Sequence, residues 1–134
     1  MSERILSVGG NKASRPLDDV RAKGVAAAYI KTDAGVKTLA AASAVARKVI
    51  IVVKVTTAFA AGDGAAPKVK FGETGTDSKF AADTVVKNDT AAGTTFTFAG
   101  EVAAGKALIA TLTAATGTTS TGAYSVTAIL ASAL

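Results

Sequence analysis

The segment Lys48–Phe59, KVIIVVKVTTAF, decides the fold class. β-Branched residues crowd it, and its apolar positions recur every second residue, which is the period of a β-strand with one buried face. The predicted buried face carries Val49, Ile51, Val53, Val55 and Phe59. The other face mixes Lys48, Lys54 and Thr56 with Ile50 and Val52. We therefore expect a long strand that is buried on one side and partly covered on the other.

Shorter apolar or alternating segments follow at a spacing typical of a β-sandwich. They are Lys68–Phe71, Phe80–Lys87, Thr94–Ala99, Lys106–Ala114 and Gly122–Ala131. Between them, Ala60–Pro67 is predicted to hold a hairpin turn at Asp63-Gly64, and Gly72–Lys79 to form a turn or loop. Residues 36–134 are therefore predicted to be one all-β domain, an antiparallel, jelly-roll-like β-sandwich of about six to eight strands.

Residues 1–35 are predicted to form a basic N-terminal arm. Within them, Ser14–Gly24 has the residue order of a short helix, although an extended arm fits as well. Val25–Thr32 could be a strand. Val36–Arg47 fits a helix by its alanines and a strand by its position before the long strand.

Charge is unevenly distributed along the chain. Residues 1–57 carry ten Lys/Arg against four Asp/Glu, whereas residues 58–134 carry five against six. A basic arm suits an acidic partner, but the cations form no run of five and few aromatics interleave them, so nucleic acid is not the expected partner. Met1–Gly10 lacks the apolar stretch of a secretory signal, and the uncharged residues 107–134 are interrupted by Thr116–Gly122. We therefore expect a soluble protein with no membrane segment.

The composition excludes much chemistry. Ala (31), Thr (18) and Gly (13) make up 62 of the 134 residues, and Cys, His and Trp are absent. Without these side chains there is no thiolate, no Ser–His arrangement and no Cys or His metal site. A core built largely of alanine should be thin, so neighbouring subunits are expected to supply part of the stability. No catalytic, cofactor-binding or metal-binding residue is predicted.

Two sequence patterns resemble functional motifs without matching them fully. Gly100–Ala107, GEVAAGKA, matches a phosphate-binding loop except that Ala107 replaces the hydroxyl residue that holds magnesium, and a strand is expected to follow in place of a helix. We therefore expect a hairpin connection there. Five acidic residues, whose spacing fits no calcium loop, are expected to serve turns: Asp63, Glu73, Asp77, Asp83 and Asp89.

The segment Val45–Leu130 resembles small β-sandwich head decoration or accessory virion proteins of tailed bacteriophages. The resemblance rests on Val55–Phe59, the turn Gly62–Pro67, Val69–Asp77, Phe80–Asp83, and the pieces Ala110–Thr113, Thr116–Thr118, Gly122-Ala123 and Val126–Ile129. These are strand and turn residues in roughly the last two-thirds of the chain, so they bear on architecture more than on role. The basic arm lies outside the resemblance.

The resemblance implies a non-enzymatic capsid decoration (cement) protein, made in the host cytoplasm, that binds the major capsid protein on the virion surface, as a homotrimer. On this interpretation the arm binds neighbouring subunits through Arg4, Lys12, Arg15, Arg21 and Lys23. Two alternatives stay open: a structural protein of the neck, tail or fibre base, and a carbohydrate-binding adhesion module. The second would need exposed aromatics, and the chain has only Tyr29 and Tyr124 as tyrosines and no tryptophan.

Overall fold

A computed structural model describes residues 23–59, 64–86, 90–117 and 121–132. These residues form eight β-strands. The strands are β1 (Lys23–Ile30), β2 (Gly35–Ala40), β3 (Arg47–Thr57), β4 (Lys68–Glu73), β5 (Thr76–Val85), β6 (Thr95–Val102), β7 (Leu108–Thr113) and β8 (Ala123–Ser132). Within these ranges, no helix is long and apolar enough to cross a membrane.

The strands make two four-stranded antiparallel sheets. Sheet A has the order β1-β8-β3-β6, and sheet B has the order β2-β7-β4-β5. Of the seven successive connections, six lead from one sheet to the other, and only β4 and β5 are sequential neighbours in one sheet. This arrangement is a jelly-roll sandwich, as the sequence predicted.

The core lies between the sheets and follows the alternation of the strands. The odd-numbered side chains of β3 from Val49 to Val55 are buried, as expected. Opposite them, sheet B supplies Val69, Phe71, Leu108 and Leu112. Ala110 and Ala128 are fully buried, so some core positions hold only a methyl group. Alanines make up only three of the seventeen buried apolar residues described, so the expectation of a core built largely of alanine is wrong.

Three aromatic rings pack together near the start of β8. Tyr124 is buried, with its ring centroid 5.7 Å from that of Tyr29 and 6.4 Å from that of Phe59. Burial raises the pKa of both tyrosine hydroxyls. Gly122 has φ +145°, and a Cβ at this position would overlap the ring of Phe59. The chain can therefore pass this ring only where it carries no side chain.

Two local predictions about connections were wrong, and a third was right only in part. β3 and β4 lie in different sheets, so the segment around Asp63-Gly64 leads between sheets and is not a hairpin. The same is true of the connection from β6 to β7, which contains Gly105-Lys106. The turn expected within Gly72–Lys79 is present at Thr74-Gly75, the tip of the β4–β5 hairpin, where Glu73 pairs with Thr76. The rest of this segment is strand and not loop. Residue preferences locate turns, but they do not say which strands a turn joins.

The residues before position 36 include a strand. β1 pairs along its whole length with β8, so Lys23–Ile30 is part of sheet A although the sequence assigned it to the arm. The strand proposed for Val25–Thr32 is present, whereas Lys23 and Gly24 of the suggested helix are also in β1. The rest of that helix, Ser14–Ala22, lies outside the described residues. In the ambiguous segment 36–47, Gly35–Ala40 is strand β2.

Candidate functional site

The outward-facing side of sheet A, here called the outer A face, is uncharged across its two central rows. In one row Ile129 lies between Gly24 and Ile50, and Ile50 in turn pairs with Ala99. The exposed fractions of Ile50 and Ile129 are 48% and 43%. The second row runs Ala26, Thr127, Val52, Thr97. The face is therefore flat, made of small and β-branched side chains, and unusually apolar for an exposed sheet surface.

Among the described residues, charged side chains on this face lie only at its two ends. Lys48 pairs with Glu101 at one end, and Lys54 pairs with Thr95 at the other. All three charged side chains are exposed. Such a charged rim around an uncharged centre is the general anatomy of a protein–protein interface.

The outer face of sheet B, here called the outer B face, has the opposite character. Lys68 and Lys70 of β4 point outward from its centre, and Lys70 Nζ lies 3.6 Å from Asp77 Oδ2. Threonines occupy neighbouring positions on β7. The same sandwich thus has one face suited to water and one suited to a partner.

The edge strands of the two sheets also differ, in how regularly they pair with their neighbours. In sheet B, the pairing of edge strand β2 shifts register between Thr38 and Ala40, and the pairing of edge strand β5 shifts twice. In sheet A, edge strands β1 and β6 pair without any shift. Irregular edges resist further strand pairing, whereas regular ones with small side chains permit it. Sheet A is therefore also the sheet whose edges can accept a neighbouring strand.

In contrast to the apolar outer A face, Glu73 is a buried, charged side chain. Glu73, only 6% exposed, accepts hydrogen bonds at Oε1 from Lys79 Nζ and from the Ala103 N–H, each at 2.9 Å. Burial pushes the pKa of this carboxyl up, but the two hydrogen bonds and the charges of Lys79 and Lys106 outweigh it and hold the pKa below its ordinary value. The group joins the β4–β5 hairpin to the β6–β7 connection. Its acceptor oxygen is engaged by structural donors, so we assign it a structural role.

The acidic residues do not assemble into a metal site within the described ranges, where no cluster of three or more His, Cys, Asp or Glu residues occurs. Glu73 is buried in its ion pair, and Asp77 is paired with Lys70 on the outer B face. Asp63 and Asp89 lie outside the described residues. The segment Gly100–Ala107, which resembles a phosphate-binding loop, is followed by strand β7 and not by a helix, as expected from the sequence.

Of the five cations predicted to contact a capsid, only Lys23 is described. It begins β1, and its side chain is exposed. Arg4, Lys12, Arg15 and Arg21 lie outside the described residues, so their role stays a prediction.

The sequence predicted the outer A face only in part. It placed Ile50 and Val52 on a partly covered face, but it could not show that Ile129 lies beside them.

Solved structures with the same fold come from phage capsids. One is a chain of the acidic stable capsid structure of Helicobacter pylori bacteriophage KHP30, with a TM-score of 0.60, 19% identity, and coverage of 82% of this chain and 86% of that one. Another is a chain of the cyanophage Pam1 capsid asymmetric unit, with a TM-score of 0.59, 13% identity, and coverage of 96% and 93%. No protein-family model matches the sequence, and no curated protein matches it. At these identities the similarity establishes a shared fold.

Proposed function

We propose that this chain is a non-enzymatic structural protein of a phage virion that decorates the outside of the assembled head. The observation that carries the proposal is the uncharged centre of the outer A face, with Ile50 and Ile129 side by side and about half exposed. A free monomer gains nothing from such a face, whereas a subunit of an assembly buries it. The shared fold with chains of two phage capsid structures supports the same setting.

On this proposal the outer A face contacts the major capsid protein or a neighbouring copy of the chain. The face is small: four strands about 4.8 Å apart and eight residues of about 3.3 Å each give on the order of 500 Å². A stable one-to-one interface needs roughly 800 Å² per partner. Contacts of this size become strong when they repeat over a shell and are joined by a second contact, for which the basic arm is the candidate.

The regular edges of sheet A support self-association, which we propose to be trimeric. β1 has β8 on one side and no strand of the described chain on the other. β1 contributes Gly24, Ala26, Ala28 and Ile30 to the outer A face. Because the first three are small, another backbone can approach closely. A neighbouring copy that covered this edge would also extend the uncharged face.

The test is the number and position of copies on purified particles, measured by gel quantification against the major capsid protein and by cryo-electron microscopy. Decoration predicts many copies spread over the head in groups of three. A single ring of copies at the neck, tail or fibre base would overturn decoration in favour of the alternative structural role. Absence of the chain from particles would overturn both.

A further inference from the structure

The backbone of β1 presents alternate residues to its free edge. Just beyond β1, the Lys31 N–H donates to the Gly122 carbonyl at 3.1 Å, so the odd-numbered residues of β1 face β8 and the even-numbered ones face the edge. At Ile30 this edge is capped, because the Ile30 N–H donates to Asp33 Oδ2 at 2.8 Å and the Ile30 carbonyl accepts from the Asp33 N–H at 3.0 Å. The edge-facing residues without such a cap or a strand of the described chain beside them are Gly24, Ala26 and Ala28.

The opposite edge of sheet A, at β6, presents a matching set. The Val55 N–H donates to the Thr94 carbonyl at 2.9 Å, so the even-numbered residues of β6 face β3. The residues that face the free edge are Thr95, Thr97, Ala99 and Glu101. On both edges, the edge-facing residues are also those whose side chains lie on the outer A face. Pairing between the two edges therefore keeps every side chain on its own face of the sheet.

The two edges also run in opposite directions. Neighbouring strands of sheet A are antiparallel and two strands separate β1 from β6, so β1 and β6 are antiparallel to each other. A copy rotated about an axis along the strands keeps these directions, and its β6 can lie beside β1 of the first copy as an antiparallel neighbour. Copies that meet through the same edge are related by a two-fold axis and form a dimer, whereas a trimer needs two different edges.

We infer that the β1 edge of one copy pairs with the β6 edge of the next copy. The inference deepens the self-association proposed above and rests on it. Three residue pairs exchange six backbone hydrogen bonds in this arrangement. The proposed register places opposite each other Gly24 and Ala99, Ala26 and Thr97, and Ala28 and Thr95. Pairing in a closed ring leaves no free edge on sheet A, which removes the hazard of further strand addition.

The side chains that face sheet B favour this register. Val25, Phe96 and Phe98 are only partly buried where they border the core. In the proposed register Val25 lies opposite Phe98 of the next copy, and Ala27 opposite Phe96, so each large ring meets a smaller apolar side chain. A shift by two residues would place Val25 opposite Gly100, which offers no side chain to pack against. The register with Ala26 opposite Thr97 is therefore the one that covers most apolar surface.

The test uses disulfides, because the chain contains no cysteine. Ala26 and Thr97 are exposed and lie in one row of sheet A, three strand spacings or about 14 Å apart, which is too far for a disulfide within one chain. Between paired copies their Cα atoms would be about 5.5 Å apart, which a disulfide spans. Mild oxidation of Ala26→Cys/Thr97→Cys should therefore give a covalent trimer on non-reducing denaturing gels. Each single variant should cross-link at least about tenfold less.

A matched control and a second measurement accompany the gels. Thr38→Cys/Thr97→Cys is the control, since Thr38 is an exposed residue on edge strand β2 of sheet B, and it should cross-link no more than the single variants. Amide hydrogen exchange, followed by NMR, needs no substitution. Dilution of the unmodified chain should accelerate exchange of the Ala26 and Thr97 N–H groups at least about tenfold. The Ile30 N–H, which Asp33 already binds, should not respond.

Three results would overturn the inference. If Ala26→Cys alone cross-links as efficiently as the double variant, β1 pairs with itself and the assembly is a dimer. If the control cross-links as well as the double variant, the contact is not specific to these edges. If nothing cross-links and exchange at Ala26 is independent of concentration, the two edges do not pair. None of these results changes the copy number on particles, which tests the proposed function separately.

Discussion

Ile50 and Ile129 are direct cross-strand partners on β3 and β8, and both side chains point away from the core. Each keeps close to half of its surface exposed, in the uncharged centre of the outer A face. A cross-strand pair of this kind stabilises the sheet only modestly. Its remaining apolar surface is available to a partner.

The first prediction concerns this face. Ile129→Glu should leave the fold intact and abolish binding to purified particles that lack the chain, because it places a charge at the centre of the contact. Val36→Glu is the matched control, since Val36 is an aliphatic residue on β2 of sheet B that is 63% exposed. Sedimentation with particles measures occupancy. Equal occupancy by the two variants would exclude the outer A face as the docking surface.

The second prediction concerns the basic arm. Arg15→Gln/Arg21→Gln should lower occupancy and make it less sensitive to salt, since the arm is proposed to contact an acidic surface and exposed charge pairs are screened. Lys68→Gln/Lys70→Gln removes the same charge from the outer B face and should bind as the unmodified chain does. A titration of occupancy against sodium chloride distinguishes the two pairs. If the Lys68/Lys70 variant is the weaker binder, the arm assignment is wrong.

The third prediction concerns the buried carboxylate. Glu73→Gln should lower the free energy of unfolding by about 1–3 kcal/mol, because Lys79 loses its charged partner in a buried site. Asp77→Asn is the control: its pair with Lys70 is exposed, so the expected change is below about 1 kcal/mol. Urea titration measures both. A larger loss for Asp77→Asn would contradict the role assigned to Glu73.

The fourth prediction gives the pH dependence of the same group. The folded pKa of Glu73 is below its ordinary value of 4.5, so the folded state favours the ionised form. Its contribution should be complete above about pH 5 and should be lost as the pH falls through the lowered pKa. Urea titrations between pH 6 and pH 2.5 should show a steeper loss in the unmodified chain than in Glu73→Gln, and parallel curves would refute the prediction.

The fifth prediction concerns Gly122. Gly122→Ala should destabilise the sandwich by about 1–3 kcal/mol, because the added methyl group overlaps the buried ring of Phe59 and the core is already filled. Gly24→Ala, where a Cβ meets no atom within 4 Å, should change stability by no more than about 0.5 kcal/mol. Thermal unfolding followed by circular dichroism compares them. Equal melting temperatures would show that the ring moves aside.

Local patterns were enough to predict most of the strands. The alternation from Val49 to Val55 and from Tyr124 to Leu130 requires one buried and one outward face, and both strands are where the pattern placed them. A turn or loop was expected within Gly72–Lys79, but the polar stretch around Thr74-Gly75 did not show that the paired strands extend to Glu73 and Thr76. Pairing partners could not be read from the sequence, since β3 pairs with β6 and β8 and not with its sequential neighbours.

The candidate surface was predictable only in part, for the same reason. Ile50 and Val52 alternate with buried residues, so the sequence showed that β3 has two apolar faces. Ile129 is 79 positions beyond Ile50, and only the antiparallel register of β3 with β8 makes them neighbours.

The strand order has a consequence for when this molecule can form. β8, the last of the eight strands to leave the ribosome, fills the slot between β1 and β3. Sheet A therefore cannot close until β8 has been made, about a hundred residues after β1. A topology dominated by such distant pairings folds slowly. Newly made chains consequently pass through a period in which apolar strands are unpaired, and the many Thr, Ala and Gly residues, with few large apolar side chains, limit how readily they aggregate before the sandwich is complete.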